Sequence, residues 1–383
     1  MMDLVPLLRL TGLYFSESPQ ATRSSFRTVL ASVLTLIVIS YTAYGLICNL
    51  CGGGLFGGKI SASYLNVQEI FYFAMLSESI FSIFFLIKWQ LDGSLQFMLR
   101  NTLLAEKNKV TVIGRRFRRI LGIITGVAIL ATTFKVCQII LNWTLYFVRD
   151  GMELEMEWWF FDETIFAVLS PYAIFVWHIC LCLFMAVVQS LTLELQDFNR
   201  KFETMLKSNT EKSEELTKKI SASFTHYTRL TDKVSRIDRI VGPYAFIMLA
   251  AGCVSLIFLL LSTIREHGHW VVLIPFFIDI LIWIWHLFGL CVFPTRVYTE
   301  VHYVQRLLGR TPTLWNSFDP ELYAVANMFA DNISRADIGI TLWGFTPITK
   351  SLVLTCVSLL VSYIVLFLQL KVGSEYESWH NDD

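Results

Sequence analysis

Five polar side chains punctuate the last apolar stretch of the chain: Ser351, Thr355, Ser358, Ser362 and Gln369. Their spacings of 4, 3, 4 and 7 residues put them on one narrow stripe of a helix turning about 100° per residue, with Val365 in the missing place. Three chemistries compete for such a stripe. Hydroxyls and an amide facing water can replace part of the hydration shell of a passing ion. Small hydroxyl residues can let two helices pack closely. Each hydroxyl can instead bond a carbonyl of its own helix. Spacing alone favours the packing seam, and Gln369, long for a close seam, raises the first chemistry.

A second set of polar groups is scattered through the other apolar stretches: Glu69, Glu78, Lys135, His178, Asp279 and His286, accompanied by Tyr172, Trp177, Trp283 and Trp285. Aromatic walls with a few polar groups suit a small organic ligand. Each residue also has a structural reading. The tryptophans can be interfacial or core residues, and Lys135 with Glu78 can form a structural ion pair. Ionisable groups inside a membrane are costly, so at least one of them is expected to serve a ligand or a coupling step. No H-E-x-x-H, G-x-S-x-G or phosphate-binding glycine loop occurs, so an enzyme is not expected, nor is any cofactor. Cys48 and Cys51 form a lone C-x-x-C without further zinc ligands nearby, and packing is the favoured reading.

The elements that must hold these groups follow from hydropathy. Of 383 residues, 55% are hydrophobic and 16% charged, and the mean hydropathy is +0.55. A soluble domain carries about a quarter charged residues, so a bilayer is the natural solvent. Seven spans are expected, at about 28–50, 65–88, 119–148, 164–192, 241–263, 269–293 and 349–370, which gives an all-α polytopic membrane protein. Net charge is zero, so no nucleic-acid partner is implied.

The distribution of Lys and Arg predicts the orientation. Residues 1–27, 89–118, 193–240 and 294–348, with their flanking positions, hold twenty-five of them, against Lys59, Arg149, Arg265 and Lys371 on the other side. The expected arrangement is a cytoplasmic N-terminus, cytoplasmic segments at 89–118, 193–240 and 294–348, and an extracellular tail at 371–383. Between 193 and 240, Ile220, Phe224, Tyr227, Thr231, Val234, Ile237 and Val241 recur at helical spacing and predict an amphipathic helix entering the fifth span. That helix either folds against its own chain or forms a subunit-assembly surface. Asp319 predicts an N-cap, and Gly344-Phe345-Thr346-Pro347 a break before the last span. Of the two glycosylation sequons, Asn332 is expected to stay bare because it faces the cytosol.

The stretch Ser362-Tyr363-Ile-Val-Leu-Phe-Leu-Gln369-Leu370 resembles the Thr-Tyr-(five apolar)-Gln-Phe signature of invertebrate gustatory receptors. It stands at the end of the last span, with Gly344-Phe345 about twenty residues upstream, and Ser362 and Leu370 replace Thr and Phe. The resemblance implies a tetrameric cation channel, homomeric or mixed with related subunits, in the plasma membrane among lipid and opened directly by a small-molecule tastant. It also implies that 349–370 lines the pore and that 193–240 and 294–348 form an anchor below the membrane. Gln369 and Leu370 would form the constriction, with Tyr363 packing behind them and Ser362, Ser358 and Thr355 on the same pore-lining helix toward the cytoplasm. The ligand pocket would lie among the first six spans. A G-protein-coupled receptor is the alternative, opposed by the inverted topology, and a transporter is less favoured because no internal repeat is visible.

Overall fold

The computed structural model describes residues 67–107, 112–149, 157–207, 213–265, 270–315, 319–335 and 338–381, together with Ile37. Apart from Ile37, the expected first span lies outside the described residues, as do the N-terminal segment and the C-x-x-C. What is described is helical almost throughout. The helices are α1 (Val67–Leu91), α2 (Ser94–Lys107), α3 (Val112–Arg149), α4 (Glu157–Lys207), α5 (Ser213–Arg265), α6 (Trp270–Val301), α7 (Tyr303–Gly309), α8 (Pro312–Trp315), α9 (Pro320–Arg335) and α10 (Lys350–Asn381). Among the described residues, parts of α3, α4, α5 and α6 are long and apolar enough to cross a membrane.

The central post is α4. Every residue from Val176 to Leu193 is buried. A helix that is apolar all round belongs inside a bundle, and α1, α3 and α6 pack against this one. In turn α5 lies against α1 and α6. Pro171 and Pro243 sit inside α4 and α5 without ending them. Neighbouring helices in a bundle re-satisfy the backbone groups such prolines release.

Helices α4 and α5 continue well beyond their apolar parts. On α5, Ile220, Tyr227, Val234 and Val241 stand seven residues apart and are at most 1% exposed. This stripe packs with Phe198, Phe202 and Phe329 into an aromatic core beneath the apolar bundle. The amphipathic helix therefore folds against its own chain. The Tyr227 hydroxyl, whose pKa burial pushes up, donates to the carbonyl of Val301 on α6 (3.2 Å). Lys233 on α5 donates to Glu194 on α4 (2.7 Å). Asp319 caps α9 by accepting from the N–H groups of Glu321 (3.0 Å) and Leu322 (3.4 Å).

Two elements differ from the expectation. Within the charged segment 89–118, Leu95, Met98 and Leu99 are buried at helical spacing and fix α2 against α4. The turn into α2 uses Gly93 at φ +68°. At the other end, α10 runs through the expected tail to Asn381. Each added residue of a formed helix gains a backbone bond, and no proline stops this one.

Residues 338–349 form a small hairpin. Thr341 bridges Pro347, and Leu342 and Ile348 donate to Thr346 and Ile340 (both 2.9 Å). Trp343 and Gly344 both have positive φ. The hairpin is clasped to α5 by Asp238, which accepts from the Thr341 N–H (2.6 Å) and hydroxyl (2.9 Å). A Cβ on Gly242 would lie 3.0 Å from the Thr341 carbonyl oxygen, so this glycine permits the close approach. Asp238→Ala is expected to cost about 1.5–3 kcal/mol, since it removes bonds to a charged acceptor. Burial raises the Asp238 pKa, and the Thr341 bonds pull it back. A carboxyl whose folded pKa is raised contributes stability below its unfolded value, about 3.9, and loses it as pH rises through the folded pKa. Melting curves should therefore show wild type losing stability relative to Asp238→Asn as pH rises through that window.

Candidate functional site

Two regions carry the polar groups singled out above. The first is the interior between α3, α4 and α6. Lys135 on α3 pairs with Asp279 on α6, each side chain 3% exposed. Its ammonium also donates to Gln138 (3.2 Å). The partner of Lys135 is thus Asp279 and not Glu78. Helix α1 packs on α4 and α5, so Glu78 meets α5 instead and its Oε1 accepts from the Ser255 hydroxyl (3.0 Å).

Beside this pair lies an aromatic cluster from two helices. The Trp177 indole on α4 stacks on the His286 imidazole of α6 (4.8 Å, 26°) and packs against Trp283 (5.1 Å) and His178 (4.7 Å). Trp177, His178, Trp283 and His286 are all buried. Among the described residues, the Trp177 Nε1 and both ring nitrogens of His286 have no hydrogen-bond partner, and neither has Glu78 Oε2. An unmade bond at a buried polar atom costs about 1–3 kcal/mol.

His178 differs from His286. Its Nδ1 lies 2.9 Å from the Ile174 carbonyl. A carbonyl only accepts, so Nδ1 carries the proton, and a neutral ring keeps Nε2 as an acceptor. His178 lines a cavity of about 160 Å³ between α3 and α4 with Thr125, Ala128, Thr132, Phe175 and Ile179. The hydroxyls of Thr125 and Thr132 bond carbonyls of their own helix (both 2.8 Å), so the wall they present is largely apolar. Apart from His178, these residues were not expected from sequence, because Thr, Ala and Ile on a membrane helix carry no chemical signal. Tyr172 is half-buried on α4, and Glu69 falls on α1 with its side chain outside the described residues.

The second region is α10. Its main packing partner is α5. Leu352, Val353, Cys356, Leu360 and Ile364 are half-buried on one face. On roughly the opposite face, Ser351, Thr355, Ser358, Ser362 and Gln369 are all exposed. The polar stripe is therefore not a packing seam within the subunit. Thr355 and Ser362 donate to the carbonyls of Ser351 (3.0 Å) and Ser358 (2.9 Å). Such bonds use the hydroxyl proton and leave oxygen lone pairs facing outward. Leu354, Val357, Leu359, Tyr363 and Leu366 are also large, apolar and exposed. The Leu370 side chain lies outside the described residues.

A bundle around an all-buried helix, a buried polar and aromatic interior, and a last helix with one exposed polar face define a multi-pass helical membrane architecture. The sequence profile of the 7tm chemosensory receptor family matches residues 4–372. The chain belongs to that family, which is a receptor and not an enzyme class. No curated protein matches it significantly. Among solved structures, it is similar to the insect olfactory receptor OR5 from Machilis hrabei in complex with eugenol, with a TM-score of 0.71 and 12% identity over 96% of this chain and 97% of that one. The same receptor described without eugenol gives a TM-score of 0.65 at the same identity and coverage. At that identity the likeness speaks for the fold.

Proposed function

We propose that the protein is a gustatory-type chemoreceptor of the plasma membrane, a cation-channel subunit opened directly by a small organic molecule. The observation that carries this reading is the polar stripe of α10, which faces away from its own subunit. Four copies arranged around an axis, of one chain or of related chains, would turn these stripes toward a shared aqueous path. Their outward oxygen lone pairs suit a partly dehydrated cation. Gln369 and Leu370 form the constriction, and Tyr363 packs behind them. The charge distribution supports a cytoplasmic N-terminus and an extracellular C-terminus, with the extensions of α4 and α5 below the membrane.

The ligand enters the cavity between α3 and α4 that His178 lines. A cavity of about 160 Å³ is close to the roughly 150 Å³ at which an apolar protein cavity takes up a benzene-sized guest. A single-ring molecule with one hydroxyl fits this size, its O–H donating to His178. The cluster of Trp177, Trp283 and His286 lies behind His178, which Trp177 touches.

This assignment is tested by blocking the cavity in cells that carry the receptor and respond to a ligand. Ala128→Phe is expected to abolish ligand-evoked current while leaving surface expression intact. His178→Phe keeps a ring but removes the acceptor. It should raise the half-maximal ligand concentration roughly tenfold to hundredfold, the equivalent of about 1–3 kcal/mol. Unchanged dose–response curves for both variants would remove the ligand from this cavity.

A further inference from the structure

A second cavity, of about 390 Å³, lies at the opposite end of α10 from the constriction, where α6, α7 and the start of α10 meet. Its lining includes Tyr298, His302, Arg306, Thr349, Lys350 and Ser351, and no carboxylate. The volume falls in the range of small-molecule sites, roughly 300–1,000 Å³. The ligand-binding interior described above contributes none of these residues.

The chemistry of the wall is one-sided. Arg306 and Lys350 make no ion pair with any described residue. The guanidinium of Arg306 rests over the Tyr303 ring at 5.2 Å, which leaves its N–H edges free to donate. His302 bonds the Tyr298 carbonyl through Nδ1 (2.9 Å) and keeps Nε2 available. Glu300, two residues away on α6, does not neutralise the cavity. Its carboxylate is held on α4 by Gln196 (3.0 Å) and Asn199 (2.9 Å). The N-terminus of the long helix α10 adds the positive end of its dipole, with Thr349 capping the Leu352 N–H (3.3 Å).

We propose that this cavity binds an anion carrying clustered phosphomonoesters, the chemistry shared by a phosphoinositide headgroup and a soluble inositol phosphate. Arg306 grips one phosphate with its planar fork, and Lys350 places a second charge on the base of α10. The bound anion ties α7 to the first turn of the gate helix. It thereby makes the opening of that helix sensitive to the phosphates of the cytoplasmic side. The cytoplasmic placement rests on the orientation proposed above, whereas the binding chemistry does not.

The test uses purified full-length protein and reads binding, so it is independent of channel activity. Inositol 1,4,5-trisphosphate is titrated into protein in phosphatidylcholine nanodiscs. In a second arm, nanodiscs containing phosphatidylinositol 4,5-bisphosphate are compared with phosphatidylcholine alone. Thermal stability is read in both arms. A saturable rise in Tm is expected in at least one arm. The Arg306→Ala/Lys350→Ala double variant should weaken it by more than about tenfold, because two charge-assisted bonds are lost. Lys350→Arg should keep it, as should Lys207→Ala, an exposed lysine paired with Glu203 on α4. A response to the soluble probe assigns free phosphates as the source, and a response confined to the lipid arm assigns the headgroup. No response in either arm, or one that the double variant leaves unchanged, overturns the proposal.

Discussion

Lys135→Ala is expected to be among the most damaging single substitutions in the molecule. It leaves the Asp279 carboxylate buried, 3% exposed, with its cation gone. Breaking one side of a buried pair costs about 3–5 kcal/mol, because the remaining charge stays desolvated. The detergent-purified variant should melt far below wild type and reach the cell surface poorly. Lys135→Met combined with Asp279→Leu removes both charges and keeps apolar volume, and should recover most of the loss. Near-wild-type melting of Lys135→Ala would mean that the pair does not hold α3 to α6. The distinction matters for function, because a pair engaged in structure is not a free contact for ligand. The unpartnered nitrogens of Trp177 and His286 are the better candidates for that contact.

The second large effect is expected at the constriction. In the proposed assembly, Gln369→Arg would place a positive charge from each copy on the cation path. At about 6 Å and an effective dielectric constant of about 20, one such charge raises the barrier by about 3 kcal/mol, roughly a hundredfold in rate. Cation current should therefore fall by two orders of magnitude or more. Gln369→Glu reverses the sign and should preserve or increase it. Leu370→Ala removes the apolar plug and should produce current without ligand. Opposite responses to the two charged residues identify an electrostatic barrier, whereas equal losses would point to misfolding. Whole-cell currents normalised to surface protein make the comparison.

The legible parts of the sequence were those in which a periodic pattern decided the structure. The seven-residue spacing of Ile220, Tyr227, Val234 and Val241 predicted a buried face, and all four are buried. The stripe from Ser351 to Gln369 predicted a common face, and the structure exposes it whole. Asp319 was readable as a cap because capping is local. Pairings across the chain were not readable. Lys135 could have met Glu78 or Asp279, and only the placement of α1 against α5 sends Glu78 to Ser255. Asp238 sits in the charge-rich stretch of the amphipathic helix, with nothing in its spacing to mark a long-range partner. Its partner Thr341 is 103 positions away, and neither residue type announces a clasp. Helix α2 was hidden by the charges around it, although Leu95, Met98 and Leu99 carried the signal. The His178 cavity was hidden more thoroughly, because a void between helices is written in residues that pack elsewhere.

In the homomeric form of the proposed channel, this chain alone both binds the ligand and conducts. The most direct test is to reconstitute the purified protein alone into a planar lipid bilayer and apply a ligand that evokes a response in cells. Ligand-evoked cation current is expected in this minimal system, abolished by Gln369→Arg. A silent bilayer would contradict it if the same ligand still evokes a cellular response through this protein and that response disappears when G-protein signalling is blocked.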